Sequence, residues 1–325
     1  MKYAVCRLIS FATGNNEDIS HYKNLKRFKL YEKKAKERIL LVDFRNVRFG
    51  LADRIIGILS LFMFAKENNR GLKIIHRTGF NLEDYLLPNQ ANWFISEEEI
   101  SHGLNESRIL VTSLSRSWLK RYGLPKLNPR IMQYHAYVNH DFRDFLQDGS
   151  LDKYNRKELF DELFKPAPRL EQLLSDASKA IHTNSYIAVH IRFLNYLEQV
   201  ERTPSRITTE EEKIEMISAC KKRLEEIHSQ YPDQSILLFS DSNRFIQEDF
   251  PSYVCKLPGR VGHVSAQHQD LTAVVDKAFI DLFMISRAER VINIVDENLW
   301  GMSGFSRIAA ELGGKQFSRI PLRSK

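Results

Sequence analysis

Short apolar runs alternate with longer amphipathic stretches along most of the chain, a pattern typical of strands that alternate with helices around a mostly parallel sheet. The apolar run Ile39–Phe44 predicts the first buried strand. A helix is predicted from about Leu51 to Glu67, because Asn-Asn-Arg-Gly follows it as a stop signal. Further strands are predicted at Leu72–Ile75 and Arg108–Ser113.

A second series of alternating elements begins after Pro166 and Pro168, because proline disfavours the continuation of a helix. The strands predicted there are Ser185–Ile191, Ser235–Phe239, Ser252–Cys255 and Val291–Ile294, and the main helices are Leu170–Ile181, Thr209–Gln230, Leu271–Arg287 and Ser303–Leu312. This layout is typical of a nucleotide-binding half-molecule. Since 325 residues also exceed what one core comfortably holds, we expect two domains, residues 1–165 and residues 166–325.

The composition, with 43% hydrophobic and 27% charged residues, is that of a globular protein rather than a disordered or fibrous one. The longest apolar run, Ile55–Ala65, is too short to cross a bilayer and predicts a buried helix segment. Arg7 interrupts the apolar start of the chain and no small-residue cleavage site follows, so we expect a cytoplasmic protein. Cys6, Cys220 and Cys255 lack C-x-x-C spacing, which predicts free thiols and argues against a disulfide framework or a structural zinc site.

The net charge of +7 arises largely between Lys23 and Arg38. The simplest interpretation is the solvated face of a helix, and the alternatives are a peripheral contact with anionic membrane lipid or with a nucleic acid backbone. The sequence contains neither an RNP-like aromatic pattern nor zinc-finger spacing, so we do not expect nucleic acid as a partner.

Polar or glycine residues follow four of the predicted strands, and the carboxyl ends of strands are where open α/β sheets bind ligands. Each group also has an ordinary explanation: a strand-to-helix turn, a surface ion pair, a core histidine or a helix cap. Their common position at strand ends favours a binding site, in which helix N-termini would face an anion and an arginine would grip a phosphate. The four groups are Phe49-Gly50 with Asp53, His190 with Arg192, Ser240-Asp241-Ser242, and Ser303-Gly304-Phe305-Ser306.

The order of these motifs along the chain resembles that of the fucosyltransferase superfamily, which includes the nodulation-type α1,6-, the α1,2- and the protein O-fucosyltransferases. VRFGLADRIIGILSLFMFAKENNRGLKI resembles the family's glycine loop and helix, IAVHIR its V-H-x-R-R motif, LLFSDS its next strand end, and DKAFIDLFMISRAERVI…SGFSRIAAELGG its closing segment. The resemblance extends from about Leu41 to Gly314. Two positions differ, because Phe193 stands where the family has a second arginine and Asn195 where it has an aspartate.

The resemblance implies a GT-B architecture, in which two Rossmann-like domains with mostly parallel sheets face each other across a cleft. It implies an inverting, metal-independent transfer of fucose from GDP-fucose to a saccharide hydroxyl, with no cofactor. Arg192 would stabilise the departing GDP, and His190 would support the nucleotide or that arginine. The implied donor-binding residues are Phe49, Gly50, His190, Arg192, Asp241, Ser303, Gly304, Phe305 and Ser306, and no residue is expected to bind a metal.

Inversion also requires a general base for the acceptor hydroxyl. The resemblance implies a carboxylate after the H-x-R strand, at Glu198 or Glu201, and the expected catalytic residues are Arg192, Glu201 and Asp53. Three alternatives stay open: a GT-B transferase that uses another nucleotide sugar, a nucleotide-binding homologue without catalytic activity, and an RNA- or membrane-associated adaptor that acts through Lys23–Arg38.

Overall fold

The computed structural model of the chain describes residues 27–45, 49–181, 183, 185–199, 207–262, 264, 270–297, 299 and 304–323. Their contacts divide the chain into two compact units. The first comprises Met1–Phe49 and Asp53–Lys165, and the second comprises Gly50–Ala52 and Pro166–Lys325. Each unit is built around a sheet of its own.

The first sheet has four strands, and every strand pair in it is parallel. The elements formed by the described residues as far as residue 166 are the strands β1 (Ile39–Asp43), β2 (Gly71–Ile75), β3 (Leu86–Pro88), β4 (Ser107–Ile109), β5 (Gln133–Ala136) and β6 (Phe164–Pro166), the helices α1 (Leu51–Glu67), α2 (Arg116–Tyr122) and α3 (Arg156–Leu163), and four short 3₁₀-helices. The strand order is β2-β1-β5-β4, and β3 pairs with β6 apart from this sheet. All five residues of β1 are buried, as expected of a central parallel strand.

The second sheet has five parallel strands. The elements after residue 166 are the strands β7 (Tyr186–Ile191), β8 (Ser235–Ser240), β9 (Val254–Lys256), β10 (Arg290–Val295) and β11 (Gln316–Pro321), and the helices α4 (Pro168–Ala180), α5 (Glu210–Gln230), α6 (Asn243–Gln247), α7 (Leu271–Arg287) and α8 (Gly304–Gly313). The strand order is β11-β10-β7-β8-β9. Numbered from β7, this is the order 3-2-1-4-5 of nucleotide-binding sheets, seen from the other edge.

Several helices start at the signals that the sequence carries. Thr209 and Glu212 form a reciprocal capping box at the start of α5, and the side chain of Asp270 accepts a hydrogen bond from the N–H of Ala273 at the start of α7. Pro168 is the first residue of α4, where its missing N–H costs nothing. None of the helices in the described ranges is long and apolar enough to cross a membrane.

The structure corrects two predicted strands and adds one that was not predicted. The predicted strand Arg108–Ser113 is wrong in its second half, because Thr112–Leu114 forms a 3₁₀-helix in which the N–H of Leu114 donates to the carbonyl of Val111. The strand β9 begins two residues later than predicted, after a turn closed by the N–H of Val254. The strand β11 was not predicted, because this partly exposed edge strand lacks a continuous apolar run.

The basic segment is also not the helix that its charge pattern suggested. Residues 27–38, the described part of Lys23–Arg38, contain no helix and are instead bonded to residues 102–106. One carboxylate oxygen of Glu106 accepts the N–H groups of Lys34 and Ala35, at 2.7 and 3.0 Å. Because these acceptors lie about 70 residues away, the local sequence could not reveal that they replace helical hydrogen bonds.

Gly57 lies where α1 approaches the backbone of Val138. A Cβ atom on Gly57 would lie 1.9 Å from the carbonyl oxygen of Val138, so the helix or that segment would have to move. Helix propensity alone favours alanine over glycine by about 1 kcal/mol. We nevertheless expect Gly57→Ala to lower the free energy of unfolding by about 1–3 kcal/mol, measured by urea denaturation.

Gly71→Ala is the matched control for this substitution. A Cβ atom on Gly71 would meet the side chain of Ile39 at 3.6 Å, which is an ordinary van der Waals distance. We expect this variant to stay within about 1 kcal/mol of the wild type. Equal stability of the Gly57→Ala variant and the wild type would show that α1 does not require the close approach.

Candidate functional site

The second sheet contains a topological switch point between its neighbouring strands β7 and β10. The strand that follows β7 in the chain, β8, lies on one side of this pair, and the strand that follows β10, β11, lies on the other side. Ligands of open α/β sheets bind in the crevice at such a point, beyond the carboxyl ends of the strands. His190 and Arg192 lie at this end of β7, and α8, which follows β10, begins at Gly304.

His190 is the buried member of this group, with 5% of its surface exposed. It pairs in register with Asn293 on β10, and its Nδ1 lies 3.4 Å from Oδ1 of that residue. Burial lowers the pKa of His190 to about 4, so the ring is neutral at physiological pH. The ring of Phe305, from the first turn of α8, stacks on it with 6.0 Å between the centroids.

Arg192 is held near the end of the neighbouring strand β8. Its Nε lies 3.6 Å from Oδ2 of Asp241. The two carboxylate oxygens of Asp241 also accept the N–H groups of Phe193 and Leu194, at 2.7 and 2.8 Å. Leu194 has a φ of +55°, a left-handed conformation that is unfavourable for leucine and is stabilised here by these bonds. Asp241, one of the implied donor-binding residues, therefore fixes the loop that carries Arg192.

The two positions that differ from the family motif are both buried. Phe193 is 1% exposed, belongs to the core of the second unit, and packs on Phe245 with 4.9 Å between the ring centroids. Asn195 is also buried. An arginine at position 193 would place a charge in this apolar cluster, so its replacement by phenylalanine fits the packing.

Glu198 is engaged at the start of α6. Its Oε1 accepts hydrogen bonds from the hydroxyl of Ser242 and from the N–H of Arg244, both at 2.9 Å. The carboxylate therefore caps this helix, which gives it a structural use. Glu201, the other candidate for the base, lies outside the described residues.

The described part of the last motif forms the first turn of α8. Gly304, Phe305 and Ser306 begin this helix, whereas Ser303 lies outside the described residues. Ser306 is fully buried, and its hydroxyl has no hydrogen-bond partner among the described residues. The N–H groups of a first helical turn favour a bound anion.

The predicted residues Phe49, Gly50 and Asp53 lie at the start of α1. Phe49 accepts a hydrogen bond from Arg54 on its carbonyl and lies 6.2 Å from the ring of Tyr137. Gly50 precedes the first helical residue, and Asp53 is half-buried in the first turn. A carboxylate in the first turn is stabilised by the helix dipole.

Arg54 is a residue that the sequence interpretation missed. It is 1% exposed and donates to the carbonyls of Phe49 and Thr78, at 2.9 and 2.7 Å, and to Nε2 of His76 at 2.6 Å. Because a guanidinium only donates, Nδ1 of His76 must carry the hydrogen, and it donates to the carbonyl of Phe80. Burial lowers the pKa of Arg54 to about 10, which leaves it charged at neutral pH. The available signal was a charge directly before a long apolar run.

Solved fucosyltransferases have a similar fold. The NodZ α-1,6-fucosyltransferase co-crystallised with GDP has a TM-score of 0.55 and 14% identity over 85% of this chain and 92% of its own. NodZ from Bradyrhizobium has a TM-score of 0.54 and 15% identity over 85% of this chain and 93% of its own. A variant of Arabidopsis thaliana FUT1 in complex with GDP has a TM-score of 0.54 and 13% identity over 98% of this chain and 78% of its own. No protein-family model and no curated protein sequence matches the chain.

Four buried histidines predict a loss of stability in mild acid. Burial lowers the pKa to about 3 for His76 and to about 4 for His135, His140 and His190. Below pH 6.5 these side chains bind protons when the chain is unfolded but not when it is folded. The free energy of unfolding therefore falls as the pH decreases from 6.5 to 5, by about 1.4 kcal/mol per pH unit for each fully titrating proton.

Urea denaturation at pH 7.5, 6 and 5 measures this slope. Above pH 5 the carboxylates whose folded pKa is lowered contribute little, because their unfolded pKa values are near 4. Burial raises the pKa of Asp281, so this residue contributes with the opposite sign and makes the slope smaller. The variant His140→Gln should show a shallower slope than the wild type. A free energy of unfolding that does not change between pH 7.5 and 5 would contradict the neutral state of these rings.

Asp241→Asn tests the loop that carries Arg192. An asparagine can accept only one of the two N–H groups, and its own NH₂ would face the other. We expect the variant to be less stable by about 1–3 kcal/mol and the amides of Phe193 and Leu194 to exchange hydrogen faster. The exposed residue Asp249 provides the control Asp249→Asn, and equal exchange in both variants would exclude the clamping role of Asp241.

Proposed function

We propose that this chain, whose α/β fold is that of the GT-B fucosyltransferases as its sequence predicted, is a glycosyltransferase that uses a GDP-linked sugar. The reaction would be the inverting, metal-independent transfer of fucose from GDP-fucose to a saccharide hydroxyl. The observation that carries the proposal is the switch point between β7 and β10, where Arg192 and the first turn of α8 follow adjacent strands.

Arg192 supplies the positive charge for the donor's diphosphate. A guanidinium can give two parallel hydrogen bonds to phosphate oxygens and strengthens them as negative charge develops on the leaving GDP. Asp241 and the loop hydrogen bonds hold this side chain at the strand end before a ligand binds. Such pre-organisation lowers the cost of binding.

The first turn of α8 is the second element that we assign to the diphosphate. The N–H groups of a first helical turn and the helix dipole favour an anion, and Gly304 has no side chain to obstruct one. Phe305 covers His190 from the same turn, and the buried hydroxyl of Ser306 has no partner among the described residues. Together with Arg192, these groups would neutralise the diphosphate without a metal ion.

The general base for the acceptor hydroxyl is assigned to a carboxylate. Asp53, in the first turn of α1, and Glu201 remain our candidates. Glu198 is a weaker one, because one of its oxygens caps α6. A base must lie within hydrogen-bond reach of the proton that it removes. A complex with the acceptor would therefore show which of these carboxylates is the base.

The known relatives support a guanine nucleotide as the donor. NodZ was crystallised with GDP and soaked with GDP-fucose, and the plant enzyme was solved with GDP. The sequence identities of 13–15% leave open another nucleotide sugar or a homologue that binds without catalysis.

A peripheral membrane contact of a cytoplasmic protein through Lys23–Arg38 stays a proposal. In the described part of this segment, Lys29 and Lys34 lie 4.0 and 3.3 Å from Glu32, and Lys36 lies 3.8 Å from Glu99. These neighbours reduce the positive charge available to anionic lipid.

Nucleotide binding by wild type and Arg192→Ala tests the proposed donor site. In thermal-shift titrations with GDP, GDP-fucose, UDP and ADP, we expect only the guanine nucleotides to raise the unfolding temperature of the wild type. At about 100 times the dissociation constant, the stabilisation should reach about 2.7 kcal/mol. Loss of the charge-assisted hydrogen bonds should weaken GDP binding of Arg192→Ala by about 10- to 100-fold.

Arg169→Ala is the matched control, because Arg169 is paired with Asp276 at 2.8 Å on the surface of the same unit. It should bind GDP as the wild type does. Slow hydrolysis of GDP-fucose by the wild type would distinguish an enzyme from a protein that only binds the nucleotide. The rates of the variants Asp53→Asn and Glu201→Gln would show which carboxylate contributes to catalysis. GDP binding that is unchanged in Arg192→Ala would exclude the proposed site.

A further inference from the structure

Asn293 is a polar residue in the middle of the buried strand β10. It is 1% exposed, and the neighbouring residues Ile292 and Ile294 belong to the core. Its Oδ1 lies 3.4 Å from Nδ1 of His190, and its Nδ2 has no hydrogen-bond partner among the described residues. Burying an amide with unmade hydrogen bonds costs about 1–3 kcal/mol, so stability alone does not explain this residue.

The contact with His190 restricts where that ring carries its hydrogen. Oδ1 of an amide only accepts, so this contact is a hydrogen bond only when the neutral ring carries its hydrogen on Nδ1. The ring is neutral because burial lowers its pKa to about 4, against the opposing effect of the Asn293 contact. Nε2 then carries no hydrogen, and its lone pair can only accept a hydrogen bond.

A lone pair at Nε2 selects among the groups of a nucleotide sugar. Phosphate oxygens of a bound diphosphate carry no hydrogen at neutral pH and would repel it. A hydroxyl group donates, and both the ribose and the transferred sugar carry hydroxyl groups. Arg192, two residues further along the chain, remains the partner for phosphate.

We propose that Asn293 is a positioning residue, which holds His190 as the Nδ1–H tautomer so that Nε2 accepts a hydrogen bond from a hydroxyl group of the donor. The assignment rests on the proposed function for the identity of the ligand. The tautomer itself does not depend on it, since the contact exists in the protein alone.

Nitrogen-15 NMR of the histidine rings tests the tautomer in the full-length protein. The wild type should show His190 with hydrogen on Nδ1 and a bare Nε2, and the signal is identified by its absence in His190→Phe. In Asn293→Leu, which keeps the branching at Cγ and has no acceptor, the ring should shift towards the Nε2–H tautomer. A wild-type ring with hydrogen on Nε2, or an unchanged tautomer in the variant, would overturn the proposal.

Calorimetric titration with GDP, GDP-fucose and inorganic pyrophosphate tests the recognised group. Asn293→Leu should weaken binding of a hydroxyl-bearing ligand about tenfold and leave pyrophosphate unchanged. A loss with GDP identifies a ribose hydroxyl, and a loss with GDP-fucose alone identifies a hydroxyl of the sugar. An equal loss with all three ligands would overturn hydroxyl recognition.

A double-mutant cycle separates this role from a structural one. If Asn293 acts through His190, Asn293→Leu should cause no further loss of affinity in the His190→Phe background, whereas additive losses would overturn the proposal. Ser107→Ala is the control, since it removes another buried polar group without a partner among the described residues, a hydroxyl in the first unit. Failure of the wild type to bind any nucleotide would refute the proposed function and the hydroxyl ligand, while the NMR result would still decide the tautomer.

Discussion

The carboxylate of Asp241 is the constraint on which the candidate site depends. It binds the N–H groups of Phe193 and Leu194, so β7 ends at a fixed point and Leu194 adopts a left-handed conformation. The same carboxylate attracts Arg192. One side chain at the end of β8 thereby sets both the shape of the loop and the position of its charge.

Both units hold polar groups near their strand ends in a defined protonation state. In the first unit, the guanidinium of Arg54 makes Nε2 of His76 the acceptor. In the second unit, Oδ1 of Asn293 faces Nδ1 of His190. In each case burial lowers the pKa of the ring, so the neutral histidine is an oriented donor and acceptor rather than a charge.

The departure from the family motif at Phe193 follows from packing. Its ring lies in the apolar cluster with Phe245, directly after the strand that ends in His190 and Ile191. The sequence alone could not distinguish an altered ligand pocket from a core position, because alternation along a strand becomes ambiguous where the strand turns. The structure assigns the side chain to the core and leaves Arg192 beside Asp241.

The sequence by itself determined the α/β fold and most of the strands and helices, since these follow from local periodicity, caps and proline positions. It also identified His190, Arg192 and Asp241 as residues at strand ends. Only the tertiary structure decided the contacts of the site and its surroundings: Glu198 caps α6, Arg54 bonds Phe49 and the segment from His76 to Thr78, and Asn293 faces His190. Such contacts join residues far apart in the chain, and no local pattern records a pairing that strand order and burial create.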